Sequence, residues 1–223
     1  GYPMAGHVQK AGHEVCVYNR TQTKADAWVA EFGGTKATSP ALAADGCDVV
    51  LICVGNDDDV REVVIGESGA ASTMGEGAIL IDHTTASATL AKDLDGMLSS
   101  KGIGFMDGPV SGGQAGAVNG ALTVMLGGLE SDYAKAKPVI DCYSRFSKIL
   151  GPAGNGQLAK MVNQICIAGI VQGLAEGLNF AMQAGLDGEA LVETISKGAA
   201  GSWQMENRHK TMLSDSYDFG FAV

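Results

Sequence analysis

Up to about residue 150 the chain alternates short apolar, β-branched runs with longer amphipathic stretches, the sequence form of βα units around a parallel sheet. Strands are expected over 14–18, 48–54, 78–82, 104–106, 122–126 and 148–150. Helices are expected over 4–11, 24–32, 58–65, 87–99 and 131–142, with Gly12 and the Gly33-Gly34 pair as stops. Past Gly151-Pro152 the pattern changes. A long, largely apolar helical stretch runs from 156 to about 184, and helices over 188–197 and 202–213 follow. A helix apolar on most of its surface is a buried one. That stretch is therefore expected to be the spine between an α/β domain, residues 1–153, and an all-helical domain, residues 154–223, with the boundary near Gly154.

A length of 223 residues allows one large or two modest domains, and 46% apolar residues with 32 glycines suit a compact, turn-rich chain. A formal charge of -10 leaves no basic stripe to neutralise phosphates, which excludes a nucleic-acid partner. An anionic ligand must then be met by local groups. Cys16, Cys47, Cys53, Cys142 and Cys166 lie mostly in apolar runs without a C-x-x-C pair, so they read as buried thiols in a reducing compartment, not as disulfides or zinc ligands. No apolar run approaches about 18 residues and no basic-headed leader is present. A soluble, cytoplasmic protein with no membrane partner is expected.

The opening Gly1-Tyr2-Pro3-Met4-Ala5-Gly6 runs straight into a helix, and the next strand ends in Tyr18-Asn19-Arg20-Thr21. In a dinucleotide-binding βαβ unit the last glycine of G-x-G-x-x-G lies close to the helix start, and the residue that reads the ribose follows about 20 residues on. Gly1 and Arg20 have that relation. The fold is then Rossmann-like with its first strand and first two glycines outside the sequence, which is expected to be a fragment of a longer protein or to take that strand from a partner. Arg20 stands where an acid would bind the ribose hydroxyls of NAD, and an arginine there suits the 2′-phosphate of NADP, so NADP is the expected cofactor and NAD the alternative. Thr21 and Lys24 can assist, although Thr21 and Thr23 are equally explained as helix caps.

Asp107-Gly108-Pro109-Val110-Ser111-Gly112-Gly113-Gln114-Ala115-Gly116 follows a strand and precedes a short helix. Its backbone amides, stripped of side-chain cover, can hold a carboxylate or phosphate, though a plain glycine-rich turn reads the same way. Lys160, Asn163 and Gln164 sit at i, i+3 and i+4 and share one helix face, so an ammonium and two carboxamides can converge on one small molecule. The bland alternative is a solvated lysine with two polar surface neighbours. Asn56-Asp57-Asp58-Asp59 reads as an acid-stabilised helix start. His7, His13, His83 and His209 are scattered without ligand spacing, so no metal is assigned. His83 follows a strand end and can border a site. Trp203 and Met205 can line a pocket, with core packing as the default.

Taken together these segments resemble the β-hydroxyacid dehydrogenase family, which includes 3-hydroxyisobutyrate dehydrogenase and 2-hydroxy-3-oxopropionate reductase. The resemblance runs through Met4-Ala5, Ala11-Gly12-His13, Val17-Tyr18-Asn19-Arg20-Thr21, Ile81-Asp82-His83-Thr84-Thr85, the loop from Asp107 to Gly116, and Gly154-Asn155-Gly156-Gln157 through Lys160 to Gln164. It implies a Rossmann-like domain, a long helix, an all-α domain used for oligomerisation, and an active site in the cleft. By resemblance Ser111, Gly112 and Gly113 hold the substrate carboxylate, Lys160 is the catalytic acid or base, Asn163 and Gln164 face the substrate, and Thr85 borders the nicotinamide. Cofactor contacts are expected from Gly1, Asn19, Arg20, Thr21, Val54 and Thr85. The implied substrate is a small 3-hydroxyacid or its semialdehyde, of the 3-hydroxyisobutyrate or 2-hydroxy-3-oxopropionate type, acted on by a homo-oligomer. The sequence stops at Asp218-Phe219-Gly220-Phe221-Ala222-Val223, where the family continues toward a Lys-Asp motif. Imine reductases of this architecture typically replace the lysine, 6-phosphogluconate dehydrogenases carry His-Asn where this chain has Asn163-Gln164, and non-catalytic relatives have lost the lysine. Lys160 with an intact Ser111-Gly112-Gly113 loop favours an enzyme.

Overall fold

A computed structural model describes residues 1–218; Phe219–Val223, the end quoted above, lie outside the described residues. The order is α1 (Tyr2–Lys10), β1 (Cys16–Val17), α2 (Gln22–Phe32), β2 (Thr35–Lys36), α3 (Pro40–Ala44), β3 (Val49–Ile52) and α4 (Asp57–Ile65). After a 3₁₀ turn at Ala70–Ser72 come β4 (Ile79–Asp82), α5 (Ala88–Ser99), β5 (Gly104–Asp107), β6 (Val110–Ser111), α6 (Gly113–Val118), β7 (Leu122–Gly128), α7 (Glu130–Ile140) and β8 (Ser144–Ile149). Three helices close the chain: α8 (Asn155–Gln183), α9 (Gly188–Ile195) and α10 (Trp203–Leu213). Short polar side chains start several of these helices by accepting from the first-turn amides. Ser39 accepts from Leu42 N at 3.2 Å, Asn56 from Asp59 N at 2.9 Å, Ser87 from Leu90 N at 3.0 Å and Ser202 from Met205 N at 3.1 Å.

The chain divides into two compact units, Gly1–Lys160 and the remainder from Met161. In the first, β3, β4 and β5 are parallel, with Val49 opposite Ile79 and Ile79 opposite Gly104. The sheet is mixed, not all parallel: β7 runs antiparallel to β5 and β6, and β8 parallel to β7. Between β5 and β7 stand only β6 and the six-residue α6, with no crossover helix of the kind a parallel return needs. β1 and β2 form a separate two-stranded parallel pair, and β1 is not hydrogen-bonded to β3.

The central strands are buried on both faces because helices cover each side. Successive residues of β4 alternate between two cores. Leu80 packs with Val60, Val64, Leu94, Leu98 and Phe105, whereas Ile79 and Ile81 pack with Met4, Val8, Met106, Leu122 and Tyr143.

In the second unit Leu174, Leu178, Val192 and Met205 make a small core. The expectation that the long helix is buried over most of its surface is not met: Val162, Ile165 and Phe180 are 61%, 72% and 72% exposed. The short helices α9 and α10 can cover only one stripe of a 29-residue helix. Among the described residues α8 is also the one helix long and apolar enough to cross a membrane, where the residue pattern had shown no such run. Its polar positions Lys160, Asn163, Gln164 and Gln172 break the run in sequence without breaking the helix.

Candidate functional site

Register brings the strand ends together. Ile52, Asp82 and Asp107 are successive partners across β3, β4 and β5, so the loops that follow them share the carboxyl edge of the sheet, where open α/β folds bind ligands.

Asp107 is fully buried and anchors the start of α8. Its Oδ1 accepts from Gly154 N and its Oδ2 from Gln157 N, both at 2.7 Å. A carboxylate at this end of a helix satisfies unpaired amides and complements the dipole. Burial nonetheless pushes the Asp107 carboxyl above its ordinary range, against the pull of those bonds. Gly156 passes so close to β5 that a Cβ would stand 2.6 Å from the Asp107 carbonyl oxygen, which accounts for a glycine there. Gln157, 1% exposed, ties the same turn to the loop after β4: its Oε1 accepts from Ala86 N at 3.0 Å and its Nε2 donates to Thr84 O at 2.8 Å.

One turn further along, Lys160 Nζ donates to Val110 O at 2.9 Å. Desolvation lowers its pKa from the ordinary lysine value. This bond sets the ammonium beside Ser111-Gly112-Gly113. Ser111 ends β6 half-buried, while Gly112 and Gly113 are exposed with φ of +130° and +60°, conformations that a side chain would strain. Their amides open α6, which has no side-chain cap.

His83, 3% exposed, lies behind this loop. Its Nδ1 is 2.5 Å from Gly108 O and its Nε2 is 2.8 Å from Tyr143 Oη. A carbonyl can only accept, so Nδ1 carries the hydrogen and Nε2 accepts from the Tyr143 hydroxyl. Burial holds the imidazole neutral, with its pKa lowered to about 4. Next to it Asp82, 2% exposed, is pushed up to about 6 by desolvation, although Thr84 N donates to it at 2.9 Å.

Of the residues expected at a cofactor, Val54 and Thr85 follow β3 and β4 at this edge, while Asn19, Arg20 and Thr21 follow β1 in the two-stranded pair. Gly1 caps α1 without a side-chain bond, and a Cβ on it would be 3.5 Å from the Cys53 Cβ. Asn19 Oδ1 accepts from Thr21 N at 2.9 Å, so Thr21 sits at the start of α2 but makes no side-chain cap itself. Arg20 is 82% exposed and pairs with Asp59 at 3.5 Å. Val54 N donates to Thr84 Oγ1 at 3.1 Å, and Thr85 is exposed beside it.

The fold thus brings Lys160 to the strand that leads into the Ser111-Gly112-Gly113 loop, ties Val54 to Thr84 and pairs Arg20 with Asp59. Asn163 and Gln164 belong to the second unit, where Asn163 Nδ2 donates to Gln164 Oε1 at 2.8 Å. Met205 is core and Trp203 is exposed beneath the Arg208 guanidinium, 5.8 Å from the ring centroid. The described residues hold no His, Cys, Asp or Glu cluster suited to a metal. Asp107, Gln157, His83 and Tyr143 escaped sequence reasoning as partners, although the first three sit inside the segments it singled out.

Comparison with known proteins bears on the same residues. The NAD binding domain of 6-phosphogluconate dehydrogenase matches residues 1–163, and the NAD-binding region of NADP-dependent 3-hydroxyisobutyrate dehydrogenase matches residues 154–223. An uncharacterized oxidoreductase of Shewanella frigidimarina is 62% identical over 223 residues, covering 100% of this chain and 77% of that protein. The NAD-dependent L-serine dehydrogenase of Pseudomonas aeruginosa is 32% identical over 92% of this chain and 69% of its own length. Among solved structures, 3-hydroxyisobutyrate dehydrogenase from Salmonella typhimurium superposes with a TM-score of 0.84 at 27% identity, over 97% of this chain and 76% of that one.

Proposed function

Since the chain belongs to the β-hydroxyacid dehydrogenase family and is an NAD(P)-dependent hydroxyacid dehydrogenase of the 3-hydroxyisobutyrate type, we propose that it moves a hydride between NADP(H) or NAD(H) and a small 3-hydroxyacid or its semialdehyde. One observation carries this reading: a half-buried Lys160 ammonium, its pKa lowered by desolvation, is held 2.9 Å from Val110 O beside an exposed Ser111-Gly112-Gly113 turn.

The residues present fit a dinucleotide. Uncapped first-turn amides of α1 at Gly1 can meet a pyrophosphate, and the exposed Arg20 can fork onto a ribose 2′-phosphate. The nicotinamide, when bound, takes or supplies the hydride. The protein's part is to bind, orient and move a proton. Amides of Gly112 and Gly113 with the Ser111 hydroxyl hold the substrate carboxylate, and Thr85 and Val54 border the cofactor. In the oxidative direction Lys160, neutral, takes the hydroxyl proton at Nζ; in reduction its ammonium returns that proton to the developing alkoxide and stabilises the charge. Desolvation, which lowers the lysine pKa, favours release of the Nζ proton. We take the helical domain to begin near Gly154 and the protein to work in the cytoplasm as a homo-oligomer.

The test is Lys160→Ala in the full-length protein, read by nucleotide titration and turnover with small 3-hydroxyacids. Turnover is expected to fall about 10²- to 10⁴-fold, the range for loss of a general acid–base, with nucleotide affinity retained. Undiminished turnover would remove Lys160 from the chemistry.

A further inference from the structure

We propose that Asp59 sets the choice between NADP and NAD by competing with the 2′-phosphate for Arg20, an inference that rests on the function assigned above. Arg20 reaches this position from the end of β1 and Asp59 from the first turn of α4, just past β3. The Arg20 Nη1 to Asp59 Oδ1 pair, at 3.5 Å, joins these two segments. The carboxylate is fixed more firmly than the guanidinium. Asp59 N donates to Asn56 Oδ1 at 2.9 Å, the Asp59 side chain lies over Gly55 where a Cβ would collide with it, and it is 30% exposed against 82% for Arg20. Asp57 is turned away onto Ser87, accepting from its N at 2.9 Å and its Oγ at 2.5 Å.

A guanidinium presents a planar fork that matches a phosphate bidentately. One edge of the Arg20 fork is given to Asp59 in the free protein. A ribose 2′-phosphate, carrying close to two negative charges, would have to displace that carboxylate or lie beside it, and either costs binding free energy. A 2′-hydroxyl incurs neither cost. Exposed ion pairs contribute up to about 1 kcal/mol, which corresponds to roughly a fivefold change in affinity.

The experiment measures kcat/KM for NADPH and for NADH in the full-length protein, with Asp59→Asn, Arg20→Ala, the double variant, and Asp58→Asn as a first-turn control. Asp59→Asn is expected to raise kcat/KM for NADPH roughly three- to fivefold and to leave NADH within about twofold. The gain should shrink in high salt and vanish in the Arg20→Ala background, because screening and loss of the contested group both remove the competition. Asp58→Asn should leave the NADPH-to-NADH ratio where it is. An unchanged ratio in Asp59→Asn, equal changes for both nucleotides, or a gain that persists without Arg20 each overturn the proposal. Failure of the parent protein to use either nucleotide would overturn the functional assignment itself, a separate result.

Discussion

Asp82 and His83 are neighbours in sequence and nearly inaccessible, yet burial moves their proton equilibria so that they oppose each other as pH changes. With its folded pKa raised from 3.8 to about 6, Asp82 contributes stability below 3.8 that is lost as pH rises toward 6. For His83 the folded pKa lies at about 4 against 6.5, so the unfolded chain takes the proton first and stability is lost as pH falls from 6.5 to 4. Each contribution is about 3 kcal/mol, and between pH 4 and 6 the slopes run opposite ways. Asp82→Asn removes the falling one. Its stability relative to the parent should improve by up to about 3 kcal/mol from pH 4 to pH 6, read by urea denaturation along a pH series. A difference that stays constant with pH would show that Asp82 does not titrate in this window. None of this was legible in the sequence: His83 could be placed after a strand end, but its partners Gly108 and Tyr143 lie 25 and 60 positions away. Lys160 was legible because one helical turn and one motif define it locally.

Most elements were readable where they are long, and the Asn cap of α4 and the Ser caps of α5 and α10 could be read from a few adjacent letters. β2 and β6, two residues each, and the five-residue α3 were not, because they are too short to carry a period. The start of α8 is the instructive case. Its glycines announce a helix entrance, but the group that satisfies its amides is Asp107, 47 positions before Gly154. Asp107→Ala would orphan two buried amides that now donate to a carboxylate, at a cost on the order of 4 kcal/mol, while Asp107→Asn, which keeps one acceptor, should cost about half. Both should lower turnover more than nucleotide affinity, since Lys160 rides on the anchored turn. Chemical denaturation and paired kinetics check this; a loss under about 1 kcal/mol in Asp107→Ala would mean that another group holds the turn.

At the scale of the molecule, the α/β and helical halves followed from the change of pattern at Gly151-Pro152, whereas the exposure of α8 could not, since a stripe of apolar letters does not say whether its cover comes from the same chain. The pairing map carries a last consequence. β4 is paired on both sides, by β3 and β5, and buried throughout. Backbone amides of β4 should therefore be among the last of the α/β half to exchange with deuterium, marking its most stable cooperative unit, and exchange there ahead of the short β2 would contradict it. The strand that delivers Asp82 and His83 to the carboxyl edge is then also the last to open, so fluctuations elsewhere in the sheet leave that edge in register.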